Sequence, residues 1–246
     1  MQTTDTQRDK IGIFCPTRKR TQSLARLMES ILNNANHPER VHFAFYVDDD
    51  DVVTLDFLDN VKKNFPVNIV VVKEPHNARP LSDTYNVLYK NCAVDIMMQF
   101  GDDTVMRTKG WDTLVEETFR KFDDRLALVY GRDGIHNEGF APHYALHRNW
   151  IDALGYASPP YFTVDWSDTW TFEIAKALNR HVFLPDLLIE HLHWTQGKSP
   201  IDETTYIAEM RRRSTNNEEI FRSERMVNER LDAVKKLKER MNESQA

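Results

Sequence analysis

The chain has 246 residues, a formal net charge of -6, 41% hydrophobic and 28% charged residues. It is long enough for one α/β domain with a helical extension and apolar enough to bury a sizeable core. No run approaches the roughly 18 apolar residues of a membrane span, and the acidic balance argues against a protein that mainly coats nucleic acid.

The opening Met1 to Lys10 is polar and lacks the apolar stretch of a secretion signal. Cys15 and Cys92 lie in or beside apolar segments. They are read as two buried free thiols, with neither a disulfide framework nor a Cys-rich zinc site. A cytoplasmic location is the resulting expectation.

In chain order, Ile11-Gly12-Ile13-Phe14-Cys15 predicts a buried strand ended by Pro16-Thr17. Arg18, Lys19 and Arg20 crowd the next loop. Positive charge at a helix start opposes the helix dipole, and three cations there are well placed to meet phosphate or a base edge. Thr21 or Ser23 is expected to cap a helix running to Asn33, with Leu24, Leu27, Met28, Ile31 and Leu32 as its apolar face. A polar turn then leads to a second strand, Val41 to Val47, which ends in Asp48-Asp49-Asp50-Asp51. Four consecutive acids need solvation or offsetting contacts. One or two are expected to cap the helix from Val53 to Asn64, and Asp48 is the candidate to hydrogen-bond a base or ribose.

Val67 to Val72 predicts a third strand, followed by a loop with His76 and Arg79 and a helix from Leu81 to Lys90. Val94 to Phe100 is a fourth strand that ends in Gly101-Asp102-Asp103-Thr104. A buried strand releasing two carboxylates at its C-terminal end is poorly explained by stability, because uncompensated charge near a core is expensive. In open α/β sheets that end is where ligands sit, and a divalent metal holding a nucleotide diphosphate is the expected occupant. The order β-α-β-α-β-α-β with short connections implies a mostly parallel sheet with helices on both faces. No Gly-rich dinucleotide fingerprint or P-loop pattern occurs.

A helix over Trp111 to Lys121 and a strand over Leu126 to Tyr130 follow, then a long loop from Gly131 to Gly139 and a strand from Pro142 to Arg148. His136, His143 and His147 in this region are read as structural or acceptor-facing. Asp165, Ser167 and Asp168 sit among aromatic residues at the start of a helix reaching about Asn179. One of them suffices as an N-cap, and apolar surroundings suit a carboxylate to proton transfer. A last strand, His181 to Glu190, runs into His191-Leu192-His193. Histidines two apart on a strand share a face and are candidates for one metal site. From Thr204 the chain reads as charged helices rich in Arg and Lys, with Tyr206, Met210, Ile220, Phe221, Val227, Leu231, Val234 and Leu237 as packing positions. The final residues are expected to fray.

These motifs together resemble the GT-A glycosyltransferases, especially the family 2-like group with a Pro-Thr-Arg opening found in bacteria and bacteriophages. Pro16-Thr17-Arg18, Val47-Asp48-Asp49 and Phe100-Gly101-Asp102-Asp103-Thr104 are similar to its nucleotide loop, second-strand carboxylates and Asp-x-Asp element. Gly101 departs from the pattern, standing where the first acid belongs. The resemblance implies a GT-A domain over residues 1–203, with 204–246 a helical extension packed on or projecting from it. It implies a metal-dependent transferase that moves a sugar from a nucleotide-diphosphate donor, a UDP-sugar favoured, to an acceptor hydroxyl with inversion.

Asp168 matches the catalytic base, with Asp165 in reserve. Asp103 and His193 match the ligands of Mn²⁺ or Mg²⁺. Pro16, Thr17, Arg18, Arg20, Asp48, Asp50, Arg79, Asp102 and Lys198 are implied as nucleotide-sugar contacts. Cytoplasmic here means the host's cytoplasm if the chain is phage-encoded. Acceptor identity stays open among saccharide, lipid-linked sugar, protein and a modified base in DNA. The competing expectation is a module that binds a nucleotide-sugar or another polyanion on the same fold without catalysis.

Overall fold

The computed structural model describes residues 8–244. The start of the polar opening and the last two residues expected to fray lie outside them. Eight strands form one sheet in the order β3-β2-β1-β4-β7-β6-β8-β5. They are β1 (Ile11–Thr17), β2 (Val41–Asp48), β3 (Asn68–Glu74), β4 (Ile96–Gln99), β5 (Thr104–Met106), β6 (Leu128–Arg132), β7 (Tyr144–His147) and β8 (His181–His191). The helices are α1 (Thr21–Asn34), α2 (Val52–Asn64), α3 (Leu81–Asn91), α4 (Trp111–Arg120), α5 (Arg148–Leu154), α6 (Ser167–Ala177), α7 (Glu203–Ser214), α8 (Asn217–Arg222) and α9 (Glu224–Glu243).

Alternation along the central strands builds a core on each face of the sheet. Phe14 and Met97 point into a layer with α3, α5, α6 and α9, whereas Ile13, Cys15, Ile96 and Met98 point into one with α1, α2 and α4. Being covered on both sides, β1 is a continuous apolar run, as a central parallel strand must be. Cys15 and Cys92 are free and buried. No helix among the described residues is long and apolar enough to cross a membrane.

The first four strands are parallel, but β7 runs antiparallel to both β4 and β6, and β5 antiparallel to β8. These reversals position the site. The start of β7 lies beside the end of β4, which carries the chain of His143 to Gly101. The pairing of Thr104 with His191 sets the end of β8 against Asp103.

Several local expectations differ from what forms. Neither Thr21 nor Ser23 caps α1; Arg20 holds the cap position with no side-chain cap bond. Trp166, at φ 73°, precedes α6, so neither Ser167 nor Asp168 is its N-cap. Asp51 does cap α2, accepting from Thr54 N. In the C-terminal segment Phe221, Met226, Ala233 and Leu237 share the core under α5 and α6, and the Arg230 guanidinium lies 4.0 Å from the Phe221 ring centre. Tyr206, Met210, Ile220, Val227 and Leu231 are exposed instead of packed; on α9 it is Met226, Ala233 and Leu237 that face the core.

Candidate donor and acceptor cleft

The C-terminal ends of β1, β2 and β4 open into a cleft of about 290 Å³. It is lined by Pro16, Thr17, Arg18, Arg20, Asp48, Arg79, Asp102 and Asp103, with α7 along one side. A second compartment holds Asp103, His143, Asp165, Asp168, His191 and His193. The two share Arg20, Tyr85, Phe100, Gly101 and Asp103 in their walls, so they are adjoining halves of one groove that meet at the end of β4.

In the first half, Arg18 Nη1 donates to Asp48 Oδ2 at 2.9 Å and to Asp50 Oδ1 at 2.5 Å. His76 Nδ1 lies 2.6 Å from Asp48 Oδ2. Asp48, Asp50 and His76 are the one set of three metal-ligating side chains among the described residues whose ligand atoms all lie within 4.8 Å of one another. The Arg18 guanidinium already occupies both carboxylates, so a cation there would have to displace it. Arg79 lines the same half and is bonded to Glu74 and Asp83.

Asp102 is buried and accepts from Thr17 Oγ1 at 2.8 Å and Arg20 Nη1 at 3.0 Å. Burial raises its pKa to about 6 against the pull of Arg20. Arg20 also forks onto Asp202 at 2.7 and 2.6 Å.

The second half is rich in imidazole. Asp103 Oδ2 lies 3.2 Å from His191 Nε2. Burial pushes the Asp103 carboxyl upward, but the hydrogen bond and charge of His191 outweigh it and hold the pKa at about 2. The ring centres of His143 and His193 lie 4.8 Å and 5.0 Å from that of His191. His193 is not on the strand as the His-x-His spacing implied. β8 ends at His191, and His193 caps the 3-10 turn of Trp194–Gln196 by accepting from Thr195 N. The imidazole that meets Asp103 is therefore His191.

Both ring nitrogens of His143 and Nδ1 of His191 are buried without a partner. Burial drives the His143 pKa down to about 3, which keeps the ring neutral and its lone pair free to ligate. A carboxylate beside imidazoles with unused nitrogens fits a divalent transition ion better than Mg²⁺, which prefers oxygen donors.

Asp168 is half-buried, and its Oδ1 accepts from Thr169 N at 2.7 Å. Burial raises its pKa, opposed by that hydrogen bond. Asp165 is committed elsewhere, accepting from Arg212 Nε at 3.1 Å and Asn217 Nδ2 at 2.9 Å, so it ties the C-terminal helices down. Lys198 lines neither compartment and pairs with Glu190 at 2.8 Å. Asp50 lines neither compartment and is bonded to Arg18.

Sequence reasoning expected a helix from Thr204 but did not place it in the groove. Thr204, Ile207, Ala208 and Arg211 line the first compartment, while Thr205, Ala208, Glu209 and Arg212 line the second. Each row follows the i, i+3, i+4, i+7 spacing of one helix face, so the helix straddles the groove. Asp202 caps it and binds Arg20, and Thr204 Oγ1 donates to Arg18 O at 3.2 Å. The signal available in the sequence was the Asp202-x-x-Thr205 helix start.

No family model matches the chain, and no curated protein does. Among solved structures it is similar to the mannosyltransferase PcManGT from Pyrobaculum calidifontis, in complex with GDP-Man and Mn²⁺. That likeness has 15% identity and a TM-score of 0.60, over 76% of this chain and 57% of that one. It is also similar to S. aureus TarS 1-349 in complex with UDP-GlcNAc, at 14% identity and a TM-score of 0.55 over 81% of this chain and 64% of that one. For the longer TarS chain the figures are 15%, 0.55, 73% and 36%. The chain thus spans roughly a third to two-thirds of the length of the structures it matches. At these identities the likeness is one of architecture, a central curled sheet between helical layers: the chain has the fold of the GT-A-type glycosyltransferases.

Proposed function

We propose that this protein is a glycosyltransferase that moves a sugar from a nucleoside-diphosphate donor, a UDP-sugar favoured, to an acceptor hydroxyl with inversion at the anomeric carbon. The observation that carries the reading is the junction of the two compartments at Gly101 to Asp103. A donor seated over β1 and β2 would present its sugar there to a nucleophile held beside Asp168.

In this mechanism Asp48, with Arg18, engages the base or ribose. Asp168 accepts the proton of the acceptor hydroxyl as that oxygen bonds to the anomeric carbon and the bond to the departing diphosphate breaks. Its pKa, raised by burial, suits it to that transfer. Asp103 with His191 and His193 would hold Mn²⁺ or Mg²⁺, which when bound neutralises charge on the leaving diphosphate. The unpartnered nitrogens beside Asp103 belong to His143 and His191, which makes His143 a further candidate ligand and favours Mn²⁺, the readier of the two to accept imidazole.

The deciding experiment incubates the purified protein with a panel of nucleotide-sugars and Mn²⁺ and follows release of nucleoside diphosphate. Slow hydrolysis of one donor class is expected. Tight UDP binding with no turnover of any donor, with or without candidate acceptors, would leave a binding module on the same fold.

A further inference from the structure

A nucleoside diphosphate brings several negative charges into a groove whose walls already hold Asp48, Asp102 and Asp103. Positive charge has to meet it, and almost all of what the groove offers is spoken for. Arg18 is paired with Asp48 and Asp50, Arg20 with Asp102 and Asp202, Arg79 with Glu74 and Asp83, and Arg212 with Asp165 and Glu209. Recruiting any of them means breaking an ion pair in a partly desolvated cleft, which forfeits much of what the phosphate contact returns.

Arg211 differs. Among the described arginines and lysines lining the two compartments it alone has no carboxylate partner; its guanidinium donates only to the side-chain carbonyl of Asn77. It is half-buried and stands on the row of α7 formed by Thr204, Ile207, Ala208 and Arg211, which faces the nucleotide half. Giving up one neutral amide contact costs less than giving up an ion pair.

Resting on the nucleotide-sugar reading above, we infer that Arg211 is a donor-binding residue: its guanidinium pairs with the donor's diphosphate, so that the C-terminal helix α7 completes the nucleotide site. The same contact would fasten α7 across the groove at its far end, as Asp202 and Arg20 fasten it at the near end. The cation expected at Lys198 is thereby supplied from another element.

The test is calorimetric titration of UDP, with uridine as the uncharged probe, into the full chain in the presence of Mn²⁺. It uses the unaltered protein, Arg211→Ala, Arg211→Lys and, as control, Arg213→Ala, whose exposed side chain lines neither compartment. Circular dichroism checks that each variant is folded. The expected result is a loss of UDP affinity of at least tenfold in Arg211→Ala and a smaller loss in Arg211→Lys. Uridine binding should be unchanged, Arg213→Ala should match the unaltered protein, and the salt dependence of UDP binding should be weaker without the guanidinium. Equal UDP affinity in folded Arg211→Ala, or an equal loss for uridine and UDP, overturns the assignment while leaving the donor reading intact. Absence of UDP binding by the unaltered protein overturns both.

Discussion

Gly101 occupies the position where the Asp-x-Asp pattern calls for an acid, and replacing it with alanine tests what the gap is for. A Cβ built there falls 2.6 Å from Asp103 Oδ1, while its next neighbours, Asp103 Cγ at 3.8 Å and His143 Cε1 at 4.0 Å, are at ordinary contact. Only the Asp103 carboxylate obstructs it, and to reach a normal separation that oxygen must retreat by about 0.8 Å. Metal–ligand distances tolerate roughly 0.2 Å, so a shift of that size removes or rebuilds the ligand. The hydrogen bond to His191 at 3.2 Å is strained with it. Losing a contact to a charged group costs about 1.5–3 kcal/mol, or roughly ten- to a hundred-fold in affinity. Fold stability should change by no more than about 0.5 kcal/mol, since a short polar side chain gives way and the core does not. Gly101→Ala should therefore melt like the unaltered protein while binding Mn²⁺ at least tenfold more weakly, read by calorimetry or by the free Mn²⁺ signal in electron paramagnetic resonance. Unchanged Mn²⁺ affinity in the variant would refute the placement of the cation on Asp103.

Asp168→Asn should retain UDP binding and lose roughly 10²-fold or more in transfer. Because burial raises the Asp168 pKa and the base acts ionised, the acid limb of the rate profile should lie above the ordinary aspartate value of about 3.9, with activity falling as pH falls through it. Normal transfer by this variant would move the base to another residue. Arg40→Met should destabilise the fold by about 3–5 kcal/mol in urea titrations, because it leaves Asp112 and Glu116, both buried and bonded to Arg40, without that cation. Burial raises the pKa values of those two acids, but backbone hydrogen bonds and Arg40 outweigh it and leave both depressed. The unaltered protein should therefore keep their stabilising contribution at neutral pH and lose it as pH falls below the unfolded carboxylate range of roughly 4. Asp202→Ala removes both the cap of α7 and the fork onto Arg20, and hydrogen exchange across 203–214 should quicken; unchanged protection there would show that the helix is held by other contacts.

Much of the first compartment was legible in the chain. Continuous apolar runs ending in Thr17-Arg18, Asp48 and Gly101-Asp102-Asp103 name buried parallel strands and the polar ends they carry, because period and strand termini are local properties. The four parallel strands, their helices and the α/β class follow from the same local patterns. Some roles did not follow, since a residue type does not reveal its partner. Asp165 and Lys198 are acid and base in the right neighbourhood, yet each is neutralised by a residue outside that motif.

What only the tertiary structure decided are the contacts between segments far apart in sequence. Reversal of β7 brings His143 to Gly101, and the pairing of β5 with β8 selects His191 over His193 as the neighbour of Asp103. The inward face of α7 is too polar to register as amphipathic, so its rows of Thr204 to Arg211 and Thr205 to Arg212 become visible only once the helix lies across the groove. Strand patterns are written in each segment's own composition. Strand order, register and the uncompensated charge of Arg211 depend on what every other segment has already bound.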